Sequence, residues 1–124
     1  EQMIPVFTEM GFSTQVIDNP LPGKAPVLLA TRIEDPDLPT VLGYGHGDVI
    51  IGQDEQWKKG KGPWVTAREG DKLYGRGTAD NKAQHTINIA ALRAVLAARG
   101  NKLGFNAKYM IEMGEETGAE VSSF

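Results

Sequence analysis

Three short stretches of this chain carry side chains that could bind cations or move protons. In the first, His46 is followed two residues later by Asp48; a neutral imidazole can bind a metal ion, and a nearby carboxylate can fix its ring. The second stretch is rich in glycine and contains Asp80, and the third is the pair Glu115 and Glu116. Adjacent carboxylates repel each other unless a cation or proton intervenes, so one can bind a metal ion while the other takes a proton from water.

Each stretch taken alone also has a simpler interpretation. The first could be a turn at a strand end with an incidental histidine, the second a glycine turn in which Asp80 caps a helix, and the third a solvated acidic loop. Residues 73–82 do not match the dinucleotide-binding fingerprint, because the third glycine is lacking. They are not a Walker loop either, because no Gly-Lys-Ser/Thr is present.

Considered together, the three stretches favour a metal site. His46, Asp80 and Glu116 offer nitrogen and oxygen ligands that suit zinc, and the chain has no cysteine that could supply thiolates or disulfides. Spacings of 34 and 36 residues place the three on separate strand ends. Because ligands bind outside the carboxyl ends of strands in open α/β sheets, we expect these side chains to converge within a few ångströms.

The elements that must position these residues alternate between helices and strands. Apolar periodicity predicts the end of a helix over residues 1–10 and strands near 13–18, 27–33 and 40–45. A long loop containing Trp57 and Trp64 follows over residues 50–72. The clearest helix covers 81–99, with Asp80 or Asn81 as its N-cap and Gly100 at its end, and a last strand covers 107–113. This order predicts an α/β domain with a mixed, mostly parallel sheet.

Composition narrows the class of protein. Hydrophobic residues make up 40% and charged residues 23% of the 124, an ordinary globular balance. The net charge of −3 gives no basic excess for a phosphate backbone, so we expect no nucleic-acid partner. No apolar run approaches the roughly 20 residues that span a bilayer, so we expect no membrane association and a cytoplasmic location. The chain begins with Glu1 rather than Met, which leaves a preceding targeting segment open.

The stretches YGHGDV, W…GPW, LYGRGTADNK and EMGEETG, in this order, resemble a dinuclear zinc metallopeptidase family. This family comprises aminoacylases, carnosine-type dipeptidases, glutamate carboxypeptidases, acetylornithine deacetylase and succinyl-diaminopimelate desuccinylase. The resemblance runs from about Val41 to Gly118 and implies a three-layer zinc-peptidase-like α/β domain. It implies a hydrolase that cleaves the amide bond of a small peptide or N-acyl amino acid with a metal-activated water. The implied cofactors are two zinc ions, with cobalt or manganese as alternatives, and the loop motifs lean toward the carboxypeptidase or dipeptidase branch.

The resemblance also implies a role for each candidate residue. His46 resembles a ligand of one zinc ion, and Asp48 resembles the residue that orients its imidazole. Asp80 resembles the carboxylate that bridges both metal ions, and Glu116 a ligand of the other. Glu115 resembles the general base that activates the water. The resemblance further implies a cis peptide bond after Asp80.

Two further metal ligands and the smaller lid domain of the family have no counterpart in this sequence. Residues 1–124 therefore resemble the amino-terminal part of a truncated catalytic domain, and we expect the isolated chain to bind metal weakly and to be inactive. Uncovered sheet edges and apolar surface would favour self-association. The alternative is a non-catalytic binding or assembly module that reuses half a peptidase fold.

Four other residues are expected to have ordinary structural roles. His85 is expected to be an exposed or hydrogen-bonded helix residue. Trp57 and Trp64 are expected to pack the loop, and Arg76 is expected to pair with a buried carboxylate.

Overall fold

The computed structural model describes residues 2–118 as a twisted sheet covered by two helices. The elements are, in chain order, α1 (Met3–Glu9), β1 (Ser13–Ile17), β2 (Val27–Arg32), β3 (Thr40–His46), β4 (Ala67–Glu69), β5 (Lys72–Tyr74), α2 (Lys82–Ala98) and β6 (Asn106–Glu112). Short 3-10 turns occupy Asp54–Gln56 and Glu115–Thr117. The predicted helices and main strands are present within two or three residues of their expected ends. The β4–β5 hairpin was not predicted, because three-residue strands are too short to show an alternating pattern.

The main sheet has the strand order β1-β2-β6-β3. β3 runs parallel to β6, whereas β1 is antiparallel to β2 and β2 is antiparallel to β6. The prediction of a mixed sheet is confirmed, but a mostly parallel sheet is wrong for the strands between residues 2 and 118. The physical reason lies in the connections. A loop over residues 18–26 joins β1 to β2 and returns the chain antiparallel. The long helix that a parallel crossover uses lies in the β3-to-β6 connection.

The parallel pair β3–β6 is the part of the sheet that matters for the candidate site. Its register places Thr40 opposite Asn106 and His46 opposite Glu112, so both strands end at the same edge. The backbone N–H of Gly47 donates to the carbonyl of Glu112 at 2.8 Å, which extends the ladder one residue past β3. The chain segments that follow the two strands therefore start side by side.

Both helices pack against one face of this sheet. The buried Phe7 ring of α1 lies 5.2 Å from the Tyr109 ring of β6, and Leu96 of α2 belongs to the same core. Successive side chains of a strand point to opposite faces. The opposite face carries Leu42, whose side chain is 64% exposed. Within residues 2–118 the structure thus has two layers, the sheet and one layer of helices. The resemblance implied three layers. No helix in this part of the chain is long and apolar enough to cross a membrane.

Two glycines let helix α2 and the core approach strand β3 closely. A Cβ at Gly43 would lie 2.4 Å from the Tyr109 ring, and a Cβ at Gly45 would lie 2.4 Å from Cε1 of His85. A side chain at Gly45 would push α2 away from the sheet, and one at Gly43 would displace the Tyr109 ring of β6. The close approach matters because the start of α2 follows directly after Asp80.

Candidate metal centre

The three predicted metal ligands converge at the carboxyl edge of the sheet. His46, Asp80 and Glu116 each offer a ligand atom, and these atoms all lie within 4.8 Å of one another. The prediction of convergence from three distant stretches is therefore confirmed. Their roles as ligands remain predictions.

His46 lies at the centre of the cluster and is only 4% exposed. Its Nδ1 lies 3.2 Å from Oδ1 of Asp48, and its Nε2 lies 2.9 Å from Oδ1 of Asp80. A neutral imidazole carries one proton. If Nδ1 donates that proton to Asp48, a lone pair on Nε2 faces a carboxylate oxygen. Such a pair of acceptors needs a second proton or a cation between them, so the arrangement suits a cation.

Asp48 holds two parts of the cluster together. Besides its contact with His46, its Oδ2 accepts a hydrogen bond from the backbone N–H of Glu116 at 3.0 Å. The predicted contact with the imidazole is present. The contact with Glu116 was not predicted, because nothing in the sequence indicates that these residues meet.

Asp80 projects into the cluster from the start of α2, and its side chain is 74% exposed. The Asp80-Asn81 peptide bond is cis, as the resemblance implied. Asn81 is the residue before the helix, but its side chain makes no capping bond. Its Oδ1 instead accepts from the backbone N–H of His46 at 3.3 Å, and its amide donates to Gln84. Asn81 thus fastens the start of α2 to the end of β3, which keeps Asp80 beside His46.

His85 supports the cluster from behind. It is 7% exposed, and its Nε2 donates to the backbone carbonyl of His46 at 2.8 Å. The expectation that His85 is an exposed or hydrogen-bonded helix residue is confirmed by this hydrogen bond, and the ring is buried. Gly45 leaves the space that brings the ring this close to β3.

The two glutamates lie in the 3-10 turn that follows β6. Oε2 of Glu115 lies 3.8 Å from Nε2 of His46, and its side chain is 45% exposed. Glu115 can therefore reach both the cluster and solvent. Glu116 contributes its carboxylate to the cluster and its backbone N–H to Asp48.

The surrounding carboxylates control the charge of His46. Burial, the largest single influence, lowers the pKa of His46. The hydrogen bond to Asp80 and the charges of Asp48 and Glu115 outweigh it together, so the net pKa lies above the ordinary value. A site that favours a proton on this imidazole also favours a metal cation in its place.

A buried acid lies next to the cluster and was missed in the sequence. Glu112 is 3% exposed, and its Oε1 accepts a hydrogen bond from the Tyr44 hydroxyl at 2.5 Å. Burial and then this hydrogen bond raise the pKa of Tyr44 above its usual range. The available signal was a carboxylate directly after the apolar pair Met110 and Ile111 at the end of the strand.

The long loop packs around Arg76 rather than around an ion pair. The Arg76 guanidinium lies 5.6 Å from the centre of the Trp57 ring, and its Nη2 donates to the carbonyl of Gly52 at 3.2 Å. The expectation that Arg76 pairs with a buried carboxylate is therefore wrong in the described part of the chain. The expected packing role holds for Trp57, whereas Trp64 is 60% exposed.

The fold and this cluster define an α/β domain with a candidate metal centre, and comparison with known proteins identifies the family. The chain belongs to peptidase family M20/M25/M40, whose family model matches residues 42–123. It is 39% identical to the Beta-Ala-His dipeptidase of Mus musculus over 95 residues, which are 76% of this chain and 19% of that protein. It is 32% identical to the cysteinylglycine-S-conjugate dipeptidase of Corynebacterium striatum over 105 residues, 85% of this chain and 22% of that protein.

The same relationship holds for the structure. The crystal structure of human carnosine dipeptidase 1 superposes with a TM-score of 0.82 at 32% identity, covering 97% of this chain and 26% of that one. The chain thus spans about a fifth to a quarter of the length of the relatives it matches. The family and its α/β fold, with a mixed sheet, are established by these matches.

Proposed function

We propose that these residues form part of the metal centre of a hydrolase that cleaves the amide bond of small peptides or N-acyl amino acids. The observation that carries the proposal is the 2.9 Å approach of His46 Nε2 to Asp80 Oδ1 while His46 Nδ1 faces Asp48. In their metal-binding forms, His46 Nε2 and Asp80 Oδ1 are both hydrogen-bond acceptors, yet they are held together, with the Glu116 carboxylate nearby. A cluster with only a structural role would not need this combination of ligand atoms.

The donor set fits zinc, with cobalt or manganese as alternatives. We propose that His46 holds one ion, that Glu116 holds a second, and that Asp80 bridges the two. When bound, such ions lower the pKa of a water and polarise the amide carbonyl. Two protein ligands per ion are fewer than the three that catalytic zinc sites usually have. The remaining ligands would come from outside the described residues 2–118.

Glu115 is the proposed general base. Its carboxylate lies at the rim of the cluster, and its side chain has no hydrogen bond within residues 2–118. It is therefore free to accept a proton from the attacking water and to return that proton to the leaving amine. Asp48 orients the imidazole of His46. By accepting a hydrogen bond from Nδ1–H, it leaves the Nε2 lone pair directed into the cluster.

The substrate class is proposed from the relatives. Two of them are dipeptidases by name, and another is an acetylornithine deacetylase that is 32% identical over 89 residues. Each of these names indicates a small substrate in which one amide bond is cleaved. The motifs of the long loop favour a peptide substrate over an N-acyl amino acid. The peptide would be a dipeptide, or one from which the carboxyl-terminal amino acid is removed.

We further propose that residues 1–124 correspond to the amino-terminal part of a catalytic domain, and that the isolated chain binds metal weakly and is inactive. The share of the relatives that the chain covers supports this domain assignment. Exposed Leu42 on the uncovered sheet face supports self-association of the isolated chain, which sedimentation velocity would test. A cytoplasmic location stays a prediction.

The test is metal content and dipeptide hydrolysis by the natural polypeptide that carries this sequence. We expect bound zinc, cobalt or manganese, and loss of activity with a chelator. Glu115→Gln should lower kcat by about 10²- to 10⁴-fold, the usual range for a general base, with the metal content retained. Glu55→Gln, an exposed change in the loop, is the matched control. A folded polypeptide that binds none of these metals would overturn the proposal and support a non-catalytic assembly module.

A further inference from the structure

The metal centre described above does not use the buried Glu112. This carboxyl group is the last residue of β6 and is almost fully removed from solvent. Burying a carboxyl group is costly unless it is hydrogen-bonded, and here Oε1 accepts a hydrogen bond from the Tyr44 hydroxyl, with the two oxygens 2.5 Å apart. The position of the Tyr44–Glu112 pair at the edge of the sheet suggests a role for it.

The Tyr44–Glu112 pair lies on the same face of the sheet as His46. Tyr44 and His46 are two residues apart on β3, so both side chains point to the same face. Glu112 is the register partner of His46 on the parallel strand, so its side chain lies on that face as well. The Tyr44–Glu112 hydrogen bond therefore crosses from β3 to β6 beside the imidazole of His46.

The backbone links Glu112 to the turn that carries the other two acids. Glu112 ends β6, and Gly114, two residues later, is the residue before the 3-10 turn Glu115–Thr117. Glu112 is thus hydrogen-bonded to a β3 side chain and lies at the start of the segment that carries Glu115 and Glu116. It connects the two segments whose separation sets the width of the metal cluster.

We propose that Tyr44 and Glu112 are positioning residues of the metal centre, and that their hydrogen bond fixes the distance between His46 on β3 and Glu115 and Glu116 after β6. This inference rests on the proposed function. Neither residue need touch substrate or metal. Their effect is to hold the general base and one ligand in register with the imidazole, and misplacement of about 1 Å in such a site can cost about a hundredfold in rate.

The experiment compares three variants in the natural polypeptide loaded with cobalt. Tyr44→Phe removes only the hydroxyl. Glu112→Gln keeps the shape and a carbonyl oxygen that can still accept from Tyr44, whereas Glu112→Leu cannot accept at all. Tyr74→Phe is the matched control, because the Tyr74 hydroxyl makes no hydrogen bond in the described part of the chain and the ring lies in the outlying hairpin.

We expect Tyr44→Phe to lower kcat by about tenfold with KM within about twofold, to weaken metal binding by about tenfold, and to alter the visible absorption of bound cobalt. Glu112→Gln should fall between wild type and Tyr44→Phe, Glu112→Leu should be at least as impaired as Tyr44→Phe, and Tyr74→Phe should match wild type. A lower melting temperature of Tyr44→Phe with unchanged cobalt absorption and kcat would overturn the inference, because the pair would then be only structural. A wild-type polypeptide without cobalt absorption or hydrolysis would overturn the proposed function, and this inference with it.

Discussion

The carboxylate of Asp48 accepts the backbone N–H of Glu116 through Oδ2 at 3.0 Å, while its Oδ1 lies 3.2 Å from Nδ1 of His46. One side chain thus orients the proposed imidazole ligand and holds the backbone of the proposed carboxylate ligand. The contact between Asp48 and Glu116 joins residues that are 68 positions apart in the chain. Asp48 therefore supports the cluster from the side of the β3 end and from the side of the turn after β6.

Replacing Asp48 by Asn should weaken metal binding about 10- to 100-fold, the range seen when a partner of a metal ligand is lost. The amide offers one donor and one acceptor where the carboxylate offers two acceptors. Either His46 Nδ1–H or the Glu116 N–H then loses its acceptor. Zinc titration with a competing chelator measures the change. Asp71→Asn, an exposed change in the β4–β5 turn, should leave the affinity unaltered.

The protonation of His46 should make metal binding depend on pH. Its pKa is raised above 6.5 in the metal-free fold, so a proton occupies the imidazole at pH values where a free histidine is neutral. Metal affinity should therefore fall as the pH is lowered, starting above pH 6.5. With a chelator present, the folding stability of the metal-free protein should change with pH in the opposite direction to the metal affinity. The contribution of protonated His46 is fully present below 6.5 and is lost as the pH rises through the raised pKa.

Proton NMR of the His46 ring in the metal-free protein measures this pKa directly, with His46→Gln assigning the signal. A midpoint at or below 6.5 would contradict the expectation. In that case the surrounding carboxylates would not outweigh the burial of the ring.

Substituting Gly45 by Ala should weaken metal binding through the backbone. The added Cβ would lie 2.4 Å from Cε1 of His85 and 2.8 Å from Oδ1 of Asn81, so α2 must move away from β3 and carry Asp80 with it. We expect a loss of about 1–3 kcal/mol in unfolding free energy, the usual cost of overpacking, together with weaker zinc binding. Gly114→Ala is the control, because its Cβ would meet nothing closer than 3.6 Å. Equal effects of the two changes on zinc binding would refute the packing argument.

Glu34 should contribute to acid sensitivity at the other end of the sheet. The backbone N–H groups of Leu103 and Gly104 donate to its carboxylate at 2.7 and 2.9 Å, and Arg32 lies beside it. These bonds, that from Leu103 first, lower the pKa of Glu34 below 4.5. The resulting stability is present above pH 4.5 and is lost as the pH falls through the lowered pKa.

Glu34→Gln should therefore lower the melting temperature at neutral pH and flatten its dependence on pH below 4.5. Thermal unfolding followed by circular dichroism measures both. Glu55→Gln, whose carboxylate is exposed, should leave the profile unchanged. A Glu34→Gln profile that coincides with wild type would show that the backbone bonds to this carboxylate contribute nothing.

The sequence indicated the fold better than the strand directions. Runs and repeats of apolar residues located β2, β3, α2 and β6. The sequence could not show that β2 runs antiparallel to β6, because direction depends on which strands become neighbours in the sheet. For the same reason it placed Arg76 beside a carboxylate, whereas the folded loop places it against Trp57 and Gly52.

The sequence by itself determined which groups could form the cluster, because the types of His46, Asp80 and Glu116 and their positions after separate elements are local properties. It also carried the motifs that relate the chain to its family. Only the tertiary structure decided that Asp48 would hold Glu116 and that Tyr44 would meet Glu112, across 68 residues in each case. The parallel register of β3 and β6 creates both contacts, and such a register arises from the packing of the whole sheet and helix rather than from any one stretch of residues.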